Sequence, residues 1–208
     1  MIQEHTDDIT SVARVVAVIT AGGVVVVPTD TVYGLMCDAS DEAAIRRMFA
    51  IKRRSREKAF PIFVRDIAAA RRWAYISDAK ARMLESIWPG AVTAVFHHKE
   101  KLSPILTGGR DTIGIRIPDH PYVARILSLL DMPLAQTSAN ISDAPPARTA
   151  AEAARYFEKE SEHPDLLVDG GDTPGVSSTV MDCTGATPII LRSGIVSRED
   201  IDRMTGRF

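Results

Sequence analysis

Residues 24–31 read VVVVPTDT, and this stretch decides the fold. Its valines form an uninterrupted β-branched run, which is typical of a short strand that is covered on both faces. The polar residues Pro28-Thr29-Asp30-Thr31 follow at once and end the strand in a turn. A strand that is buried on both faces belongs in a sheet that has helices packed on each side.

A helix is predicted on each side of this strand. Before the strand, apolar residues recur at three- and four-residue spacing until a glycine pair stops the helix. These residues are Ile9, Val12, Val16 and Ile19, followed by Gly22-Gly23. After the polar turn, Ala44, Met48 and Ile51 mark the apolar face of a second helix. Ser40 and Asp41 are its candidate caps.

Helices and strands also alternate in the rest of the chain. Further strands are predicted at 61–64, 91–97, 112–117, 134–137, 166–168, 179–182 and 189–191. Further helices are predicted near 66–75, 78–87, 121–130, 149–160 and 198–204. This pattern predicts an α/β fold, α+β by strict classification, in which a twisted mixed β-sheet carries helices on both faces. We expect a single domain over residues 1–208.

The composition indicates an ordinary globular protein. The chain has 208 residues, of which 45% are hydrophobic and 25% charged. The 25 basic and 27 acidic residues give a net charge of −2, so no field of the whole molecule favours nucleic acid or a membrane. No apolar run is long enough to span a bilayer, and no signal peptide is evident. Cys37 and Cys183 lack metal-ligand spacing. We therefore expect a cytoplasmic protein without a metal site of its own.

A basic segment lies between Arg46 and Lys58. It holds seven basic residues and one acid. Arg46 and Arg47 suit a helix C-terminus, where the dipole favours cations. The residues from Lys52 to Lys58 leave the helix just before an apolar strand, where several cations can converge on a polyanion. Composition alone leaves two alternatives open, a phosphate site and a solvated surface.

Small polar turns follow several of the predicted strands. They lie at 28–31, 137–140 and 175–179, and strand-end loops of this kind bind ligands in α/β sheets. Residues 170–177 have the spacing of a Walker loop, but Val176 stands where its lysine is required. Arg116 lies inside an apolar strand, so it needs either a ligand carboxylate or an internal acid as its partner. Neither the cysteines nor the histidines form a nucleophilic site.

Five short motifs occur in a characteristic order. They are Pro28-Thr29-Asp30-Thr31-Val32-Tyr33-Gly34-Leu35, Lys52-Arg53-Arg54, Ser138-Ala139-Asn140, Ser178-Thr179-Val180 and Arg192-Ser193-Gly194. In this order they resemble the YrdC family of threonylcarbamoyl-adenylate synthases, and the resemblance covers about 9–201. It implies a YrdC-like fold in its short, single-domain form. It also implies a nucleotidyltransferase that makes threonylcarbamoyl-AMP and pyrophosphate from L-threonine, bicarbonate and ATP. This product serves threonylcarbamoyladenosine modification of tRNA next to the anticodon.

The resemblance also implies a role for each matching residue. The residues implied to bind ATP are Lys52, Arg54, Lys58, Ser138, Asn140 and Arg192, with Lys52 and Arg54 also catalytic. The residues implied to bind threonine are Thr31, Arg116 and Ser178. Mg²⁺ is expected with ATP, and no metal is expected on the protein alone. The expected partners are a downstream threonylcarbamoyl transferase complex and weakly bound RNA, but no membrane.

Four positions depart from the family pattern. Asp143 replaces a glycine, Pro146 replaces a serine, and Ser55 and Ala59 stand where prolines are usual. Two alternative functions stand beside the synthase. One is an RNA-binding or ribosome-assembly factor, although the basic loop has only Phe49 and Phe60 nearby for stacking on bases. The other is a divergent paralogue that uses another carbamoyl substrate.

Overall fold

A ten-stranded mixed sheet organises the chain, and its computed structural model describes residues 1–206. The strands are β1 (Ile2–His5), β2 (Val25–Val27), β3 (Gly34–Asp38), β4 (Ile62–Phe63), β5 (Val92–His97), β6 (Thr112–Arg116), β7 (Leu134–Ser138), β8 (Leu166–Asp169), β9 (Thr179–Asp182) and β10 (Ile189–Arg192). Their order in the sheet is β1-β8-β2-β3-β7-β4-β6-β5-β9-β10. Parallel and antiparallel neighbours both occur, which confirms the predicted mixed sheet.

The helices connect these strands. They are α1 (Ser11–Thr20), α2 (Glu42–Lys52), α3 (Ile67–Trp73), α4 (Asp78–Glu85), α5 (Pro104–Thr107), α6 (Pro121–Ser128), α7 (Ala150–Phe157) and α8 (Arg198–Thr205). The elements predicted from the sequence are present, with bounds that agree to within three residues. Ile9 lies outside α1 and is exposed, so its assignment to the apolar face was wrong. Asp41 caps α2, whereas Ser40 bonds to Asp38.

Two strands and one short helix were not predicted. β3 lacks β-branched residues, and it forms because it pairs with β2 on one side and β7 on the other. β1 is a mostly exposed edge strand that, among the described strands, pairs with β8 alone. The third is the four-residue helix α5. Local propensity is weak in such segments, so pairing and packing decide their structure.

The valine run lies between two layers of helices. Val25 and Val27 pack with α1 and α6 on one face of the sheet. Val24 and Val26 face a larger cluster on the other face, to which residues of α2 to α5, α7 and α8 contribute. The expected helices on both faces are therefore confirmed. Within the described residues, no helix has the length and apolar character needed to cross a bilayer.

The face that carries α1 and α6 also carries the polar side chains of the central strands. Ile113 and Ile115 of β6 pack into the opposite cluster, so Arg116 points to the α1–α6 face. By the same alternation Gln136 and Ser138 of β7 share the face of Leu134. The strands thus direct these polar side chains to the same face of the sheet.

Candidate active site

A cavity of about 150 Å³ opens on this face, where several strands end. It lies between the turn after β2, the loop after α2 and the ends of β6, β7 and β10. The residues that line it are Thr31, Val32, Arg54, Pro61, Arg116, Gln136, Thr137, Ser138, Ser177, Ser178 and Arg192. The lining combines arginines, hydroxyls and an amide, which suits an anionic and polar ligand.

Lys52 is the last residue of α2, and its side chain is almost fully buried. Its Nζ donates to the carbonyl oxygen of Ser138 at 2.6 Å, to Oγ of Ser138 at 3.1 Å and to Oδ1 of Asn140. Arg53, at the end of the helix, adopts a left-handed conformation with φ of 50° and turns the chain away. The lysine therefore ties the end of α2 to the end of β7.

Burial, together with the smaller effect of the charge of Arg54, lowers the pKa of Lys52 to about 7. Asp143 acts in the opposite direction on the same pKa. Near neutral pH the ammonium and the amine are therefore both populated when no anion is bound. An anion placed beside Nζ would stabilise the charged form.

Lys52→Met is expected to remove a pH dependence from the free energy of unfolding. Lysine titrates near 10.5 in the unfolded chain but at about 7 in the fold. Between these values the unfolded state binds one more proton than the folded state. The difference in free energy of unfolding, wild type minus variant, should therefore increase as the pH rises from about 7 to 10.5. Below pH 7 this difference should be constant. Urea titrations of both proteins at several pH values measure this difference, and a constant difference would contradict a depressed pKa.

Arg54 lies in the loop after α2, on the cavity wall. Its Nε donates to the carbonyl oxygen of Lys58 at 3.1 Å, and its Nη2 donates to that of Ala59 at 3.0 Å. Its guanidinium lies 5.1 Å from the ring centroid of Phe60. Burial lowers the pKa of this arginine, and Asp143 partly offsets the effect. Both acceptors are neutral, so these bonds orient the cation without neutralising it.

Asp30 is one partner of Arg116. It is the internal acid that the sequence left open as an alternative to a ligand carboxylate. Nη2 of Arg116 lies 2.5 Å from Oδ1 of Asp30. Its Nε donates to the carbonyl oxygen of Gly90 at 2.9 Å, and its Nη1 donates to Oγ1 of Thr31 at 3.2 Å. The guanidinium is buried and also lies 5.4 Å from the ring centroid of Phe63.

The ion pair between Arg116 and Asp30 leaves unused hydrogen-bonding capacity. Oδ1 of Asp30 can accept only one of the two N–H groups of Nη2, and Nη2 makes no further hydrogen bond within the described residues. Burial lowers the pKa of Arg116, whereas the charge of Asp30 raises it. Arg116 is thus held in place with Nη2 available to a ligand carboxylate, and such a carboxylate would satisfy it.

Ser178 and Arg192 form another part of the wall. Oγ of Ser178 lies 2.9 Å from Oγ1 of Thr93, and its carbonyl oxygen accepts from Nη2 of Arg192 at 2.9 Å. Burial of the guanidinium lowers the pKa of Arg192. Gly194 permits this arrangement, since a Cβ there would lie 2.3 Å from the carbonyl carbon of Ser178. The glycine of the Arg192-Ser193-Gly194 motif therefore has a packing role.

The sheet register separates two ends of the cavity. Phe63 of β4 pairs with Arg116 of β6 and with Leu134 of β7, so Arg116 lies level with Leu134. Ser138, which accepts from Lys52, follows four residues later on β7. This spacing corresponds to roughly 14 Å along the strand. The cavity therefore has an Arg116 end and a Lys52 end.

The structure brings together most of the residues that the sequence singled out. Thr31, Arg54, Arg116, Ser138, Ser178 and Arg192 line the cavity. Lys52 and Asn140 lie behind Ser138 and are hydrogen-bonded to each other. Lys58 is exposed and is not part of the lining, although its carbonyl oxygen holds Arg54. The roles that the family resemblance implies for these residues stay predictions.

Other lining residues were missed by the sequence analysis. They are Val32, Pro61, Gln136, Thr137 and Ser177. Gln136 could have been found, because it stands two residues before Ser138 on a predicted strand and therefore shares its face. The others carry no chemical signal of their own and become part of the site only through folding.

The backbone conformation of Asp143 accounts for the replacement of the family's glycine at this position. Its φ is +68°, a left-handed conformation in which glycine is unstrained and aspartate is tolerated. The loop is fixed because the amide N–H of Ser142 donates to the carbonyl oxygen of Lys52 at 2.9 Å. The Asp143 side chain is exposed, and its charge raises the pKa of both Lys52 and Arg54. It therefore acts as a counter-charge to the Lys52 end of the cavity.

Comparisons with known proteins agree with this architecture. The chain is 36% identical over 189 residues to the threonylcarbamoyl-AMP synthase of Pyrococcus abyssi, which covers 90% of this chain and 55% of that protein. The crystal structure of Pyrococcus abyssi Sua5 complexed with L-threonine superposes with a TM-score of 0.91 at 32% identity, covering 100% of this chain and 61% of that one. The crystal structure of E. coli YciO superposes with a TM-score of 0.84 at 25% identity, covering 96% and 97%.

The family assignment follows from the extent of the match. This chain spans little more than half the length of the curated relatives from Pyrococcus abyssi and Bacillus subtilis. A family model that names Sua5, YciO and YrdC, and is described as telomere recombination, matches residues 17–194. The fold expected from the motifs is confirmed by the solved structures. The chain belongs to the Sua5/YciO/YrdC family.

Proposed function

We propose that this protein is an L-threonylcarbamoyladenylate synthase. It would convert L-threonine, bicarbonate and ATP into threonylcarbamoyl-AMP and pyrophosphate. The observation that carries the proposal is a cavity that has a buried arginine with an unused N–H at one end and a lysine and arginine at the other. The names of the relatives and the threonine bound to Pyrococcus abyssi Sua5 support it.

The Arg116 end suits the carboxylate of threonine. One N–H group of Nη2 is left over from the pair with Asp30, and a carboxylate oxygen would accept from it. Thr31 bonds to Nη1 of the same guanidinium, so its hydroxyl lies next to the bound amino acid. The ion pair with Asp30 keeps the arginine in place. This end would therefore fix the position of the amino acid.

The Lys52 end suits the phosphates of ATP. Arg54 projects a cation with neutral partners into the cavity, and Arg192 also lines the cavity. Lys52 and Asn140 hold Ser138, whose hydroxyl also faces the cavity. Phosphate beside Lys52 would raise its lowered pKa and fix the ammonium as a cation. The charge that develops on a departing pyrophosphate would then be stabilised by these cations.

The reaction would proceed in two steps between these ends. The neutral amine of threonine and bicarbonate form N-carboxythreonine and water. The new carboxylate then attacks the α-phosphorus of ATP, the bond to the bridging oxygen breaks, and pyrophosphate leaves. Positioning and electrostatic stabilisation can supply most of this catalysis, so no covalent nucleophile on the protein is required.

Mg²⁺ enters the proposal as part of the ATP substrate. The cavity lining contains three arginines and no carboxylate. Among residues 1–206, no three histidine, cysteine or acidic side chains cluster as a metal site. Such a lining does not suit a hard cation bound by the protein itself, because hard cations prefer several oxygen ligands. It does suit a cation that is already bound to the phosphates of ATP. We propose MgATP as the substrate form.

The product would be a reactive mixed anhydride of carbamate and phosphate. We propose that a separate transferase complex in the cytoplasm delivers its threonylcarbamoyl group to tRNA. Cys37 and Cys183 are free and buried, which agrees with a reducing compartment. The relatives support the synthase over the alternative of an RNA-binding factor without catalysis.

Pyrophosphate release tests the proposed function directly. Purified protein with MgATP, L-threonine and bicarbonate should release pyrophosphate and form a product with the mass of threonylcarbamoyl-AMP. Omission of either threonine or bicarbonate, with CO₂ removed, should stop the release. Release that needs neither co-substrate would indicate a contaminating ATPase. A folded protein that releases none would overturn the proposal.

A further inference from the structure

The loop between β8 and β9 is the glycine-rich stretch that has Walker-like spacing but no Walker lysine. It comprises residues 170–178, contains neither helix nor strand, and ends in Ser177 and Ser178 on the cavity wall. Gly171 and Gly175 both have a φ of 79°, a conformation that favours glycine. A segment outside the regular elements keeps its position only through contacts with the rest of the fold. The position of the two serines therefore depends on what holds this loop.

Tyr33, in the first of the five motifs, holds the start of the loop. Its side chain is fully buried, and its ring packs in the larger apolar cluster. Its hydroxyl donates to the carbonyl oxygen of Gly171 at 2.7 Å and accepts from the backbone N–H of Gly170 at 3.1 Å. Burial raises the pKa of this phenol to about 12, so the proton that it donates is present at neutral pH. One hydroxyl thus satisfies two backbone groups of the loop.

Close packing confines the loop at the same point. A Cβ on Gly170 would lie 2.7 Å from Cγ of Pro28 and 2.9 Å from Cγ2 of Thr6. The side chain of Asp169 accepts from the backbone N–H of Gly171 at 2.9 Å. The start of the loop therefore lies directly against the turn after β2, and Tyr33 is part of that turn.

Thr31, in the same motif, holds the loop further along. Its carbonyl oxygen accepts from the N–H of Gly175 at 2.8 Å, while its hydroxyl accepts from Arg116. Between these anchors, the N–H and the hydroxyl of Thr173 both donate to the carbonyl oxygen of Arg148. The first motif thus fixes the loop at two points and connects it to the Arg116 end of the cavity.

The loop in turn orients a cation of the cavity. The carbonyl oxygen of Ser178 accepts from Nη2 of Arg192 at 2.9 Å, and Oγ of Ser178 lies 2.9 Å from Oγ1 of Thr93. The carbonyl oxygen of Ser177 accepts from the N–H of Ile195 at 2.9 Å. A shift of the loop would therefore move Ser178 and Arg192 together.

We propose that Tyr33 is a positioning residue whose hydroxyl orders the loop 170–178, so that Ser178 and Arg192 are held in place for the substrates. Tyr33 itself touches no substrate. The inference rests on the proposed function in one respect, because the substrate that Arg192 meets there is MgATP. Without the hydroxyl, two backbone groups of the loop lose their buried partner, and a displaced loop that exposes them to water becomes more favourable.

Tyr33→Phe tests the inference, because it removes the hydroxyl and keeps the ring. Hydrogen–deuterium exchange read by mass spectrometry should show amides of residues 170–178 exchanging at least about 10-fold faster than in the wild type. The KM for MgATP in pyrophosphate release should rise about 5- to 20-fold, because a displaced Arg192 binds the phosphates less well. At saturating substrates kcat should stay within about threefold, since Arg54 keeps its own contacts.

Tyr122→Phe is the matched control. Tyr122 is also a buried tyrosine, and its hydroxyl donates to Oγ of Ser11 at 3.0 Å in a contact between α6 and α1. It does not line the cavity. Both variants lose one hydrogen-bonded hydroxyl, so both should unfold at a lower urea concentration than the wild type. Tyr122→Phe should nevertheless keep the loop exchange and the KM for MgATP of the wild type to within about twofold.

The two readouts separate the possible failures. Loop exchange as slow in Tyr33→Phe as in the wild type would overturn the inference. Faster exchange with an unchanged KM for MgATP would also overturn it, since the hydroxyl would then affect only the stability of the loop. Equal changes in Tyr122→Phe would have the same consequence, because they would reflect lower global stability. A wild type that releases no pyrophosphate would remove the proposed function, and loop exchange would still decide whether Tyr33 orders the loop.

Discussion

Arg54→Ala is expected to lower ATP-dependent pyrophosphate release by about 10³-fold or more while the protein stays folded. The guanidinium of Arg54 is oriented by the carbonyl oxygens of Lys58 and Ala59, and it faces the cavity without a neutralising partner among these contacts. A cation held in this way stabilises negative charge that develops during phosphoryl transfer. Alanine removes both the charge and its orientation.

The neighbouring arginine gives a matched control for this variant. Arg53 has the same side chain, but it points away from the cavity and forms an ion pair with Glu160. Arg53→Ala should therefore keep pyrophosphate release close to that of the wild type. Arg54→Lys should recover only part of the activity, since lysine retains the charge but not the fork of donors. Full activity in Arg54→Ala would remove Arg54 from the site.

Arg116→Met is expected to weaken threonine binding by roughly 100-fold, because a charge-assisted hydrogen bond to the substrate carboxylate is lost. The variant also leaves Asp30 in a mostly buried position without its counter-ion. Breaking a buried pair in this way commonly costs 3–5 kcal/mol of stability, so a loss of activity alone would be ambiguous. Calorimetric titration with threonine and urea unfolding must be measured together.

A double variant separates stability from binding. Asp30→Asn combined with Arg116→Met removes both charges of the pair and should recover part of the lost stability. It should not recover threonine binding, because no guanidinium is present to take the carboxylate. If the double variant binds threonine as the wild type does, Arg116 does not bind the substrate carboxylate. If Arg116→Met alone leaves the affinity unchanged, the assignment of this end of the cavity is wrong.

The placement of the predicted site residues shows what sequence reasoning could reach. The cations between the helix and the apolar strand left a phosphate site and a solvated surface both open, and the family resemblance singled out Lys52 and Arg54. The structure places Arg54 on the cavity wall and bonds Lys52 to Ser138 at one end of the cavity. Lys58 carries the same sequence signal, yet it is exposed and away from the cavity lining. The path of the loop after α2 decides which of its cations reach the cavity. Residue type alone does not predict that path.

The partners of Arg116 show a similar limit. Its burial was predictable, because an arginine between apolar strand residues has few ways to reach water. The identity of its partner was not, since Asp30 lies 86 residues away in sequence and comes close only through the packing of the turn after β2 against the end of β6. The internal acid and the ligand carboxylate, which were alternatives from the sequence, are therefore compatible. Asp30 pairs with Nη2, and hydrogen-bonding capacity is left for a ligand.

The sequence by itself determined the alternation of helices and strands, the buried valine strand and the ordered motifs that identify the family. Periodicity and local turn chemistry are properties of neighbouring residues, so they can be read without coordinates. Only the tertiary structure decided that β3 is a strand and that Lys52 is tied to Ser138 and Asn140. Each of these depends on strand pairing between residues far apart in the chain, and pairing energy is set by contacts that exist only in the folded state.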